Sequence, residues 1–276
     1  MHMNKKTVRI LMISTSFILL IISLYNIISI VVGYEQGNKI YDDAKSEFFL
    51  EENSELITQE QSTAEEKETS PVIENESNEK VEEDNKFDYQ ALYDYNNDAQ
   101  GWIYLGNGYI DYPIVQSKDN DYYLRKTIDK KYNINGTPFV DYRCVGGLNS
   151  KHAILYGHNM KNNSMFGSLK NYYNNHDYVT EYPYFTVWVG EEKYYYYVFS
   201  IYKTKVNDTF TYQATFNSDE DYKTYIDECI ERSEIKCQFE KADITSEDYI
   251  LTLSTCAAGS KSNRLVLHCI RKKSIS

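Results

Sequence analysis

The chain has no Cys-x-x-Cys pair and no His-x-x-x-His spacing, the arrangements that most often hold zinc. His152, His158, Cys256 and His268 have no such spacing among them, so a metal site is rejected and no cofactor is expected. No internal repeat is present, which excludes solenoids and propellers. An excess of basic charge is also missing. The net charge is −12, and residues 51–85 carry thirteen acidic residues against Lys67 and Lys80, a net of −11. The remainder is close to neutral, so nucleic acid is not an expected partner. Residues 51–85 are also poor in apolar side chains. Such a segment cannot offset its ordering entropy by burial, and its like charges repel and extend it. Cysteine is scarce and odd in number, at five.

One long apolar run is present. After Lys5, Lys6 and Arg9, residues 10–32 are uncharged. A helix of that length is about 34 Å long, enough for the roughly 30 Å hydrocarbon core of a bilayer. Positive residues before the run and Glu35 after it put the N-terminus on the cytoplasmic side and the rest of the chain outside. A cleaved signal peptide would have an apolar core of about 7–15 residues and an Ala-x-Ala-like exit, which Val31-Val-Gly-Tyr34 does not supply. The spacing of Ile40, Tyr41, Ala44, Phe48 and Phe49 suggests a helix leaving the membrane. The expected organisation is an anchor over residues 1–34, an acidic linker over 35–86 and one domain over 87–276.

That domain is long enough for a real core. Trp102-Ile-Tyr-Leu105, Phe139-Val140, Tyr184-Phe-Thr-Val-Trp-Val189 and Tyr194-Tyr-Tyr-Tyr-Val-Phe199 are short β-rich runs, and Gly190-Glu-Glu-Lys193 between the last two reads as a hairpin loop. Many of the 28 tyrosines flank such runs, where an amphipathic ring suits a half-buried strand. Regular short strands argue for a mainly β barrel or sandwich. Met165 to Tyr172 suggests a short helix. Ser218 followed by Asp219, Glu220 and Asp221 is an N-cap with an acidic first turn, and Tyr222, Tyr225, Ile226, Cys229 and Ile230 share one face.

The chemistry converges on the C-terminal end. Ile250-Leu-Thr-Leu-Ser-Thr-Cys256 reads as a strand ending in a thiol. Arg264-Leu-Val-Leu-His-Cys-Ile270 opens a second strand after a loop. Arginine stays charged and cannot act as a base, but it can hold an oxyanion. A thiol nucleophile needs a proton acceptor. Of five histidines, His158 in Tyr156-Gly-His-Asn-Met160 sits at a strand exit, where a ring can reach a neighbouring strand. The bland alternative, a buried core cysteine and a loop histidine, is open on these residues alone.

Tyr-Gly-His-Asn, Thr-Leu-Ser-Thr-Cys and a strand-opening Arg, in that order, resemble the sortases, the membrane-anchored cysteine transpeptidases of Gram-positive bacteria, and class B most of all. Ile110-Asp-Tyr-Pro-Ile-Val-Gln116, Asp119-Asn-Asp-Tyr-Tyr-Leu124 and Gly136-Thr-Pro-Phe-Val-Asp-Tyr-Arg143 look like class B segments in the family's order. The resemblance implies a closed barrel of about eight strands, with an N-terminal helix and a helix before the Cys strand. It implies Cys256, His158 and Arg264 as catalytic residues, and Asn120, Leu124, Ser254, Tyr225 and Ile226 as substrate contacts. The implied substrates are surface proteins with an Asn-Pro-x-Thr or Pro-x-Thr-Gly type sorting signal, cut after Thr through a thioester. The implied acceptor is a peptidoglycan amine, and the implied location is the plasma membrane. A peptidase without transfer and a non-catalytic surface-binding module are the other readings. No sorting signal or apolar tail marks the chain as its own substrate. Cys229 and Cys237 could pair, although a spacing of eight does not establish it; four unpaired structural thiols beside Cys256 are the alternative.

Overall fold

The computed structural model describes residues 4–50, 86–256 and 262–274. It opens with helix α1 (Lys5–Phe48), capped by the Asn4 side chain. The stretch Arg9–Phe48 includes a window of mean hydropathy 2.3 with none of its residues covered by the rest of the molecule. That helix is long and apolar enough to cross a bilayer. Beyond the apolar run α1 does not stop. Its last turns dock on the domain, burying Tyr41, Ala44 and Phe48. Asn133 Nδ2 donates to the Gly33 carbonyl at 3.2 Å, Tyr41 O–H donates to the Gly136 carbonyl, and Lys45 pairs with Asp111 at 2.6 Å. Gly37 is required for this approach, since a Cβ there would collide with the Asn133 and Asn135 side chains.

Strand β1 (Phe49–Leu50) follows α1 directly and pairs with β2 (Lys86–Phe87), placing Phe49 opposite Phe87. This differs from the linker expected over residues 35–86. Residues 35–50 are helix and strand packed on the domain, and the acidic stretch leaves and rejoins the chain between two paired strands. The spacing of Ile40, Tyr41, Ala44 and Phe48 marks the helix itself; what it does not carry is the docking of this stripe on the barrel. The acidic residues 51–85 themselves lie outside the described residues.

After α2 (Tyr89–Tyr95), the barrel strands are β3 (Ala99–Tyr104), β4 (Asp111–Val115), β5 (Phe139–Val140), β6 (His152–Tyr156), β7 (Tyr184–Val189), β8 (Glu192–Lys205), β9 (Ile250–Cys256) and β10 (Asn263–Lys272). They close in the order β10-β8-β7-β3-β4-β5-β6-β9. Pairs β4/β5 and β6/β9 are parallel, and the others antiparallel. Closure removes exposed sheet edges, and Trp102, Ile103, Ile114, Leu155, Phe185 and Val187 fill the core. Gly190, at φ 60°, turns the chain between β7 and β8, where a left-handed residue favours glycine. Helices α3 (Lys170–Asn174) and α4 (Tyr178–Glu181) follow the His158 loop.

Helix α5 (Asp219–Glu231) is capped by Ser218, whose Oγ accepts from the Asp221 N–H at 3.1 Å. Its acidic first turn complements the positive end of the helix dipole. Tyr222, Tyr225, Ile226 and Cys229 form its buried face against β8, β9 and β10. Cys144, Cys229, Cys237 and Cys269 are free thiols.

Candidate active site

Strands β9 and β10 put Cys256 and Arg264 opposite each other. They are Cα partners in the antiparallel ladder, followed down it by Ser254 with Val266 and Thr252 with His268. Strand β6 runs parallel to β9, with Tyr156 beside Ser254. The chain leaving β6 therefore carries His158 to the same end of the barrel. A side chain at Gly157 would overlap the Phe166 ring, so the loop turns tightly at that residue.

A cavity of about 350 Å³ opens at this end, lined by His158, Arg264, Ser254, Asn120, Leu124 and Tyr212 among others. His158 Nε2 lies 2.7 Å from the Leu124 carbonyl. A carbonyl only accepts, so Nε2 carries the proton and a neutral ring is basic at Nδ1. Burial pushes the His158 ring below its ordinary pKa; the Leu124 hydrogen bond opposes this, and the Arg125 charge adds to it. Arg264 donates from Nη1 to the Asn263 carbonyl at 3.2 Å. Asn120 Oδ1 accepts the Tyr142 N–H at 3.1 Å, which braces the loop forming one wall. Ser254 is buried, its Oγ 2.9 Å from the Tyr212 hydroxyl.

Tyr225 and Ile226 are placed elsewhere. Both are buried in the cluster beneath α5, and neither lines the cavity. Tyr225 O–H donates to the Thr211 carbonyl at 3.1 Å, so it supports the wall from behind. The helical periodicity that singles them out is the pattern of core packing. Tyr123, Phe139 and Tyr156 line the cavity together with Tyr212, which lies in the aperiodic stretch between β8 and α5. One Tyr among 28 gave no signal there. Behind the cavity, Tyr156 O–H donates to Asp141 at 2.9 Å, and Arg143 forks onto the same carboxylate at 3.0 and 2.6 Å. This bidentate pair fixes the β5–β6 connection.

A profile of the sortase domain matches residues 107–272. The chain belongs to the sortase family. Sortase B of Listeria monocytogenes is 35% identical over 161 residues, a match spanning 58% of this chain and 63% of that protein's length. Sortase B of Clostridium perfringens superposes with a TM-score of 0.60 at 31% identity, covering 66% of this chain and 98% of that one. A sortase B–substrate complex from Staphylococcus aureus gives 0.61 at 31% identity, covering 68% and 86%. This sortase is of class B, and its closed eight-strand barrel is the architecture of those structures.

Proposed function

We propose that this sortase is a membrane-anchored cysteine transpeptidase acting on the sorting signals of surface proteins. The observation that carries the reading is the cavity that gathers His158, Ser254 and Arg264 at the end of β9, where Cys256 is the ladder partner of Arg264.

The Cys256 thiolate attacks the carbonyl carbon of the signal's Thr, in an Asn-Pro-x-Thr or Pro-x-Thr-Gly type peptide, and the peptide bond that follows Thr breaks. Arg264 holds the developing oxyanion. His158, with Nε2–H engaged by Leu124, transfers protons through Nδ1. As imidazolium it protonates the departing amine, and as imidazole it takes a proton from the incoming one. The thioester between these steps preserves the acyl group's energy until a peptidoglycan amine attacks it, restoring the thiolate and forming a new amide. Asn120, Leu124, Ser254 and Tyr212 border the path of the extended peptide. Helix α1 anchors the enzyme, with the N-terminus cytoplasmic and the barrel outside.

The test is product analysis of a sorting-signal peptide incubated with the full chain in detergent, with and without an added oligoglycine or diaminopimelate-type amine. An amide adduct that forms only when the amine is present supports transfer. Hydrolysis alone, at the same rate with and without amine, makes the protein a peptidase instead.

A further inference from the structure

Two histidines that the chemistry above does not use lie beneath the cavity. His152, on β6, and His268, on β10, are both fully buried. His152 Nδ1 is 2.7 Å from the Gln213 carbonyl, and its Nε2 is 2.6 Å from Thr252 Oγ1. Thr252 Oγ1 is 2.7 Å from His268 Nδ1, and His268 Nε2 is 2.9 Å from the Tyr202 hydroxyl. The Tyr202 hydroxyl is 3.0 Å from Thr211 Oγ1, which is 2.8 Å from Asp208 Oδ2. The chain of contacts therefore runs from one loop residue, Gln213, through four barrel strands, β6, β9, β10 and β8, and back to Thr211 and Asp208 of the same loop.

Its direction is forced. The Gln213 carbonyl can only accept, so His152 carries its proton on Nδ1. Nε2 of that neutral ring must then accept, so Thr252 donates to it. Thr252 oxygen in turn accepts from His268 Nδ1–H, and His268 Nε2 accepts from Tyr202 O–H. One backbone carbonyl thus sets the tautomer of both rings. At the far end the single Thr211 proton serves two acceptors, Tyr202 and Asp208. The carboxylate is the stronger, which accords with Tyr202–Thr211 being the longest of the six contacts. Burial keeps both rings neutral, with His152 pushed down to about 4 and His268 pushed well below the ordinary histidine value.

The two loop residues that this chain grips, Thr211 and Gln213, flank Tyr212. Tyr212 meets Ser254 at 2.9 Å and packs 5.9 Å from the Tyr156 ring. Thr252 and His268 stand four rungs below Cys256 and Arg264 on the same ladder. We propose that His152, Thr252, His268 and Tyr202 are positioning residues that hold the Tyr212 wall at a fixed distance from the Cys256 strand, and so set the width of the peptide groove. The proposal rests on the cavity being that groove.

Peptide turnover and peptide binding test it together. Thr252→Val breaks the link between the rings, and Tyr202→Phe removes the donor to His268. Each should raise KM for the sorting peptide about five- to tenfold, the effect of losing one ordered contact, with kcat within about twofold of wild type. Thr252→Ser, which keeps the hydroxyl, should restore KM. Peptide affinity of the same variants on a Cys256→Ala background should fall by the same factor, so the wall is assayed without chemistry. Long-range ¹⁵N spectra of the wild-type protein should show Nδ1–H on both rings. Unchanged KM and affinity in folded Tyr202→Phe, or kcat falling in step with KM, would overturn the proposal, as would Nε2–H on His152. Turnover surviving Cys256→Ala would instead sink the active-site reading, leaving the affinity and tautomer measurements to decide the positioning role.

Discussion

Cys256 and Arg264 are Cα partners at the last paired rung of β9 and β10. Seven residues separate them in sequence, yet the ladder fixes their spacing through the backbone. If Arg264 holds the oxyanion, as proposed, its guanidinium supplies a donor that strengthens in the transition state. Arg264→Lys should keep the charge but lose the fork. We expect turnover to fall about 10²- to 10³-fold with peptide affinity nearly intact, read from kcat and from binding to the Cys256→Ala form. Cleavage at the wild-type rate would remove Arg264 from the mechanism.

His158 should titrate below the ordinary histidine value, because burial disfavours its cation more than the Leu124 hydrogen bond favours it. An NMR titration of the ring with a midpoint above 6.5 would contradict this. The neutral form should show Nε2–H, as the contact with the Leu124 carbonyl requires.

Tyr212 and Ile226 should separate function from stability. Tyr212→Phe loses the contact to Ser254 and should raise KM with little change in unfolding free energy. Ile226→Ala empties space in a fully buried cluster and should cost about 2–5 kcal/mol in urea unfolding. A kinetic effect of Ile226→Ala without loss of stability would return that residue to the groove.

Acidification should destabilise the fold from about pH 6.5 downward. In the unfolded chain His152 binds its proton near 6.5, whereas in the folded protein it does so only at about 4. Between those values the unfolded state holds more protons, so stability is complete above pH 6.5 and is lost as pH falls through the window. For His152 alone the loss approaches about 3 kcal/mol; His268 acts in the same direction. Melting temperatures from pH 7 to 4 should fall, and the slope should be shallower in His152→Gln. An equal slope would show that His152 is not held neutral.

Thiol chemistry should be selective. Burial pushes Cys229 up to about 12 and Cys144 and Cys237 to about 11. Only thiolates alkylate readily, so iodoacetamide at neutral pH should label Cys256 once and leave these unmodified. Labelling of Cys229 at a comparable rate would contradict the buried core.

Much of this was legible in the sequence for reasons particular to each element. The Ser218 cap and acidic first turn defined α5 to within a residue, because capping is local chemistry. The apolar strands of the Cys and Arg segments were marked by β-branched and apolar runs, and the order of Tyr-Gly-His, Thr-Leu-Ser-Thr-Cys and Arg pointed to the family. Three features were not legible. The helix that continues to Phe48 was marked by its apolar spacing, but its docking on the barrel depends on Gly37 and Tyr41 meeting residues about a hundred positions away. Tyr212 sits in an aperiodic loop held partly by its own Asp208 and partly by His152 at Gln213 and Tyr202 at Thr211, contacts from distant strands that no local pattern announces. Tyr225 and Ile226 carried a periodicity that groove and core positions share, and only the packing of α5 on β8 to β10 separates them.

The most direct measurement of the central claim is the intact mass of the protein after mixing with sorting-signal peptides, beside Cys256→Ala. The account predicts an acyl adduct on wild type alone, equal in mass to the peptide up to its Thr, mapped to Cys256 and discharged by an amine. No adduct from any peptide, with Cys256 inert to alkylation, would contradict it.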